Sequence, residues 1–185
     1  MDELIDILDR SGNKTGKTAM KSEAHKNGWY HESVHIWFYT KAGQILIQQR
    51  AANKDTHPLL WDVSVAGHIG AGEKIETSAV REVKEEIGLD ARLNSYIGMY
   101  EFYKKNELII AYHVEVETKN YILDKREIAD AKWIKVDKVQ PWSAGTGKAL
   151  RDWLNSKGHE KELVDFDRAG RGYSCLDIGS LLEDL

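Results

Sequence analysis

The chain has 185 residues, with 26 lysines and arginines against 30 aspartates and glutamates and a formal net charge of −4. That length suits one domain with its own core, and the charge balance gives no general pull toward a nucleic-acid polymer or an anionic membrane. The single cysteine, Cys175, excludes an intrachain disulfide; together with an acidic N-terminus and no apolar run near the roughly 20 residues of a membrane helix, it fits a cytoplasmic protein.

In chain order, Leu4–Leu8 reads as a first strand, turned by Ser11, Gly12 and Asn13, and residues 18–26 as a short helix. Residues 33–40 alternate Val34, Ile36 and Phe38 with His35, Trp37 and Tyr39, the period of a strand. Lys41 to Gln44 turns the chain into a strand over residues 45–50, and residues 61–66 read as another, running into a glycine-rich turn. A helix is expected over 77–87 and ends at Gly88. Residues 93–103 and 107–117 read as paired strands, 131–136 as a further strand, and 147–156 as a helix with Ala149, Leu150, Trp153 and Leu154 inward. The organisation expected is a domain over 1–156 and a C-terminal extension over 157–185. In the extension, 169–172 is a joint and Leu176, Ile178, Leu181 and Leu182 suit a docking helix.

The helix over 77–87 carries the most informative pattern. At about 100° per residue, Glu82, Glu85 and Glu86 share one arc, and Val80, Val83 and Ile87 occupy another, the stripe expected to face a core. Like charges at i,i+3 and i,i+4 oppose helix formation, and anions near a helix C-terminus oppose the macrodipole. Two local rules broken together mark a functional site. A hard cation resolves both conflicts, because Mg²⁺ takes carboxylate and phosphate oxygens together. Arg81 can fork onto carboxylates, with Glu73 as its partner from the preceding turn.

The full string over 67–89 matches the Nudix box without a gap, through Gly67, Glu73, Arg81, Glu82, Val83, Glu85, Glu86, Gly88 and Leu89. The chain therefore resembles a Nudix hydrolase. The resemblance implies an α+β fold, an α/β/α sandwich in which the box helix packs on a mixed sheet, and Mg²⁺- or Mn²⁺-dependent cleavage of a diphosphate. It implies metal ligation by Glu82, Glu85, Glu86 and the carbonyl near Gly67, with Glu73 structural and Arg81 holding the set. Glu82, Glu85 or Glu127 would take the proton of the attacking water. Arg50 and Lys54 are candidates for phosphate. Trp37, Trp61, Tyr100, Phe102 and Tyr103 could stack on a base, although aromatics at strand spacing more often fill a core.

Outside the box, residues 4–139 are similar to the isopentenyl-diphosphate-isomerase-like branch, through the leading D-I-L-D-R-S-G-N, His25, His31, His35, the Q-Q-R-A segment and Trp61 to His68. Ala66 stands where the isomerases use a catalytic cysteine, and a methyl group moves no proton. Those isomerases also have a degraded box, so both differences favour hydrolysis. His25, His31 and His68 align with the isomerases' metal-binding histidines, and Glu107 falls near their glutamates, a set suited to Zn²⁺ or Mn²⁺. The function expected is divalent-metal-dependent hydrolysis of a small nucleoside-diphosphate-type substrate. The alternatives are isomerase-like activity and a non-catalytic sensing or partner-binding module. The expected partner is a small-molecule diphosphate, with neither nucleic-acid polymer nor membrane, and a homodimer would match relatives.

Overall fold

The computed structural model describes residues 2–54, 57–93 and 95–164. Strands β1 (Leu4–Leu8) and β2 (Lys14–Met20) form a separate antiparallel hairpin, and α1 (Lys21–Asn27) follows directly. The main sheet contains β3 (His31–Thr40), β4 (Gln44–Arg50), β5 (Trp61–Asp62), β6 (Val65–His68), β7 (Tyr96–Phe102), β8 (Glu107–Glu115) and β9 (Ile128–Lys135). Its order is β5-β4-β3-β8-β7, with β6 on β3 and β9 on β4; β3 and β8 run parallel and the other pairs antiparallel. Two longer helices, α2 (Ile75–Ile87) and α3 (Thr146–Ser156), complete the architecture.

The alternation of β3 decides the layering, since successive side chains of a strand point to opposite faces. Val34, Ile36 and Phe38 join Leu46, Val65 and Ile110 in a core closed by Ala79, Val83 and Ile87 of α2. Trp37 faces the other way and joins Ile45, Ile47, Trp61 and Ile109 in a core closed by Leu150, Trp153 and Leu154 of α3. The sheet is thus mixed and covered on both faces, the α/β/α arrangement expected.

Three elements differ from the sequence reading. Residues 18–26 divide between β2 and α1, because Met20 and Ala19 pair with Leu4 and Ile5 and stay extended. Residues 61–66 divide into β5 on β4 and β6 on β3. The break falls at Ser64, whose buried hydroxyl donates to the Leu46 carbonyl at 2.5 Å and accepts the Phe38 N–H at 2.9 Å. Val80 is 42% exposed, and Ala79 takes its expected place against the sheet. A helix packs through a stripe whose centre depends on what it meets, and the Ala79–Val83–Ile87 line meets β6 and β3 most closely.

After α3 the chain returns along residues 140–143: Val164 N–H donates to the Pro141 carbonyl, Ser143 N–H to the Val164 carbonyl, and Gln140 Nε2 to the Glu162 carbonyl. The expected joint, docking helix and Cys175 lie outside the described residues.

Ser64→Ala leaves the Phe38 amide without its acceptor inside the core, which costs about 1–3 kcal/mol. Urea unfolding should show that loss with an unchanged m-value; a midpoint equal to wild type would mean that β4, β5 and β6 do not depend on this hydroxyl.

Candidate functional site

The box lies where β6 ends and α2 crosses it. Gly67 has the conformation of an ordinary strand residue, yet its lack of a side chain is needed: a Cβ there would lie 2.0 Å from Cδ of Glu82. The Glu82 carboxylate therefore occupies the space above the Gly67 backbone. Gly88, with φ of 68°, ends α2 in the left-handed conformation that glycine adopts without strain.

Arg81 organises the acids. Its Nε and Nη2 donate to the two oxygens of Glu73 at 3.3 and 3.1 Å, Nη1 to Glu82 at 2.6 Å and to Glu85 at 3.3 Å, and Nη2 to the His68 carbonyl at 3.3 Å. Glu73 in turn accepts the Ser78 hydroxyl and the Gly70 N–H. The three helical glutamates differ sharply in surroundings. Glu82 and Glu86 are each 7% exposed, whereas the Glu85 side chain is 58% exposed at the rim. Burial raises the Glu82 carboxyl to about 7 against the opposing pull of Arg81. Burial, followed by repulsion from Glu82, raises Glu86 well above the usual carboxylate range. Two buried carboxylates one helical turn apart under such pressure are a donor set that could hold a divalent cation.

Lys54 and Glu127 meet beside Glu86. They form an ion pair, and both charges act on Glu86. The loop bearing Glu127 is tied to the end of α2 by hydrogen bonds from Ile122 N–H to the Ile87 carbonyl and from Asp124 N–H to the Glu86 carbonyl; Ala51 N–H donates to the Glu127 carbonyl. Arg50 ends β4, and its charge bears on His35 and His57.

On the opposite face, α1, the start of β3 and the end of β6 bring His25, His31 and His68 together, with one ligand atom from each inside a 4.8 Å span. The Nδ1 of His31 meets the Trp29 carbonyl at 2.9 Å. A carbonyl only accepts, so Nδ1 carries the proton and Nε2 presents its lone pair. That Nε2 lies 3.1 Å from Nε2 of His25, and Nε2 of His68 is buried with no hydrogen-bond partner among the described residues. Burial holds His25 down at about 4 and His68 well below the ordinary histidine value, so both rings are neutral at pH 7 and keep ligand lone pairs. Glu107, the β8 residue paired with His31, is buried. Burial alone would push its carboxyl up, but His68, His35 and His31 hold it at about 2. These residues fit a metal by an observation independent of the resemblance: three imidazoles converge on one point, and the buried Nε2 of His68 has no hydrogen-bond partner among the described residues.

Several further residues stand at these sites without a sequence motif to mark them. His35 lies across the β3–β6 pair from Ala66, with Nε2 3.9 Å from Glu107. Gln48 reaches Glu86 from β4, and Ser78 supports Glu73. A polar residue inside an apolar strand run is the available signal for Gln48. Of the stacking candidates, Trp37, Trp61 and Phe102 are core residues, Tyr100 donates to Asp152, and Tyr103 is exposed.

This fold and site define a class, that of diphosphate-cleaving enzymes built on a helix of acids over a mixed sheet. The NUDIX domain family matches residues 29–153. The chain belongs to the Nudix family and is a hydrolase of that class, acting on phosphorus-containing acid anhydrides. It is 32% identical over 154 residues to Nudix hydrolase 3 of Arabidopsis thaliana, a match covering 75% of this chain but only 20% of that longer protein. It is 33% identical over 147 residues to isopentenyl-diphosphate Delta-isomerase 2 of Photorhabdus laumondii, covering 76% and 81% of the two chains. A crystal structure from Deinococcus radiodurans shares the fold over 98% of both chains, with a TM-score of 0.65 at 16% identity. Among the described residues, no helix is long and apolar enough to cross a membrane.

Two measurements test this geometry. Gly67→Ala should displace Glu82 and lower divalent-metal affinity, read by calorimetry with Mn²⁺; unchanged affinity would contradict the close approach. In metal-free protein, Glu82 has a folded value raised from 4.5 to about 7. Its protonated form therefore favours the fold, a contribution fully present below about pH 4.5 and lost as pH rises through 7. The Tm difference between wild type and Glu82→Gln in EDTA should accordingly change between pH 5 and 8, moving against wild type as pH rises, by about 2–4 °C per kcal/mol at this chain length. A difference independent of pH would show that Glu82 is not displaced.

Proposed function

We propose that the chain hydrolyses the diphosphate linkage of a small nucleoside-diphosphate-type substrate, using Mg²⁺ or Mn²⁺ held by Glu82 and Glu86, with Glu85 at the rim and the backbone at Gly67 beside them. The observation that carries this reading is the pair of buried, upward-shifted carboxylates of Glu82 and Glu86 on a helix whose arginine already spans Glu73, Glu82 and Glu85. The bound ions would neutralise phosphate charge and lower the pKa of a water.

The remaining work belongs to side chains. Arg81 keeps Glu82 and Glu85 from separating, so the acids are set before substrate arrives. Lys54, about one-quarter exposed, can exchange its ion pair with Glu127 for a phosphate oxygen at little cost, since an exposed pair contributes under about 1 kcal/mol. Arg50 would hold the other end of the diphosphate from the histidine side. Glu127 is then the base favoured here: it stands beside Glu86 on a loop tied to α2, whereas Glu85 is engaged by Arg81. Ala66 offers no proton.

The assembled histidines favour a second reading, isomerase-like chemistry with Zn²⁺ or Mn²⁺ at His25, His31, His68 and Glu107, and some relatives carry that name. Incubation with isopentenyl diphosphate separates the two, because dimethylallyl diphosphate without phosphate release would support the isomerase. A Mg²⁺- and Mn²⁺-supplemented panel of nucleoside diphosphates, ADP-ribose, dinucleotides, coenzyme A and prenyl diphosphates should reveal phosphoanhydride cleavage. Glu86→Gln should lower kcat on the order of 100-fold or more while Tm moves by only a few degrees. Near-normal turnover in that variant at saturating metal would remove the box from the mechanism.

A further inference from the structure

The run Ile45–Leu46–Ile47–Gln48 of β4 is buried throughout, and Gln48 is its one polar member, 3% exposed. Packing alone favours another aliphatic residue there, as a buried amide costs about 1–3 kcal/mol unless its groups are partnered. Leu46, two residues earlier on the same face, does pack against the α2 side of the sheet. Gln48 instead donates from Nε2 to Oε2 of Glu86 at 3.4 Å. The Ala66 N–H approaches the same oxygen at 3.4 Å. Two donors from two different strands, β4 and β6 just before the box, thus converge on one oxygen of one helical carboxylate. A carboxylate on a side chain with three rotatable bonds would otherwise turn freely, and donors on Oε2 fix the direction of Oε1.

We propose that Gln48 is a positioning residue of the metal site: its amide, with the Ala66 N–H, commits Oε2 of Glu86 to the protein and leaves Oε1 for the cation. The inference rests on the reading of Glu86 as a metal ligand. Gln48 touches neither substrate nor metal and acts through Glu86. Partners of this kind typically contribute 10–100-fold to metal affinity.

The test is Mn²⁺ binding to the full chain, followed by the electron paramagnetic resonance signal of free Mn²⁺, in wild type, Gln48→Met, Gln48→Asn and Glu86→Gln. Gln48→Met keeps the volume and removes the donor; Gln48→Asn keeps the amide but shortens its reach. Each should weaken Mn²⁺ by about 10–100-fold. Metal-free Tm should stay near or above wild type in Gln48→Met and fall in Gln48→Asn, whose buried amide loses its partner, and in both the Tm gain on adding Mn²⁺ should shrink. Activity of both Gln48 variants should recover at saturating Mn²⁺, a rescue that damage to the fold would not show. Wild-type Mn²⁺ affinity in either folded Gln48 variant, with Glu86→Gln impaired, overturns the role of Gln48 and leaves the hydrolase reading intact. Wild-type affinity in Glu86→Gln overturns the carboxylate site on which both stand.

Discussion

The contacts of Arg81 hold together parts of the chain that would otherwise move apart. Its guanidinium joins the turn at Glu73, the helix at Glu82 and Glu85, and the end of β6 at the His68 carbonyl. Without it, Glu82 would be pressed against Gly67 with no countercharge, and burial would drive its proton on more firmly. A planar, always-charged fork suits this work better than an ammonium, because it can satisfy two oxygens of one acid and still reach others. Glu86, farther along the helix, lies outside that fork. It depends on Gln48, on the Ala66 amide and on the Lys54–Glu127 pair, so the two buried acids of the box are supported from different directions.

The sheet gives this arrangement its rigidity and its two sides. β3 runs through the middle, paired along one edge with β8 over residues 31–39 and along the other with β6 over 33–36 and with β4 at Tyr39 and Thr40. The face carrying Val34 and Ile36 receives α2 and its acids. The other carries His31, His35 and Trp37 and gathers the histidines near one end of the strand and the α3 core near the other. Gly67 and His68 are consecutive on β6, which lets one short strand serve the acid helix through its backbone and the histidine cluster through a side chain.

Much of this was legible in the residues. The acid spacing and Arg81 are legible because helical geometry relates sequence distance to angle without reference to the rest of the molecule, whereas the roles of Glu73 and Gly67, which lie off the helix, come from the match to the Nudix box. The histidines could be aligned only through resemblance, since nothing in the interval between His25 and His31 and the distant His68 dictates that their rings meet. The ends of elements were less legible. The 18–26 segment contains good helix formers, but pairing with β1 keeps its first part extended. Periodicity places Val80 in the core, yet the sheet selects a stripe centred on Ala79, Val83 and Ile87.

By itself the sequence determined the family, the acids of the box, the absence of a proton-bearing side chain at position 66 and the mixed strand-and-helix composition, because each is a matter of residue identity or local period. The tertiary structure decided which of three glutamates are buried, that Glu127 and Lys54 stand beside Glu86, and that Gln48 points into the acid site. Those facts depend on strands brought together from remote parts of the chain. Burial, which sets the charge state of Glu82 and Glu86, is a property of that assembly and of no segment alone.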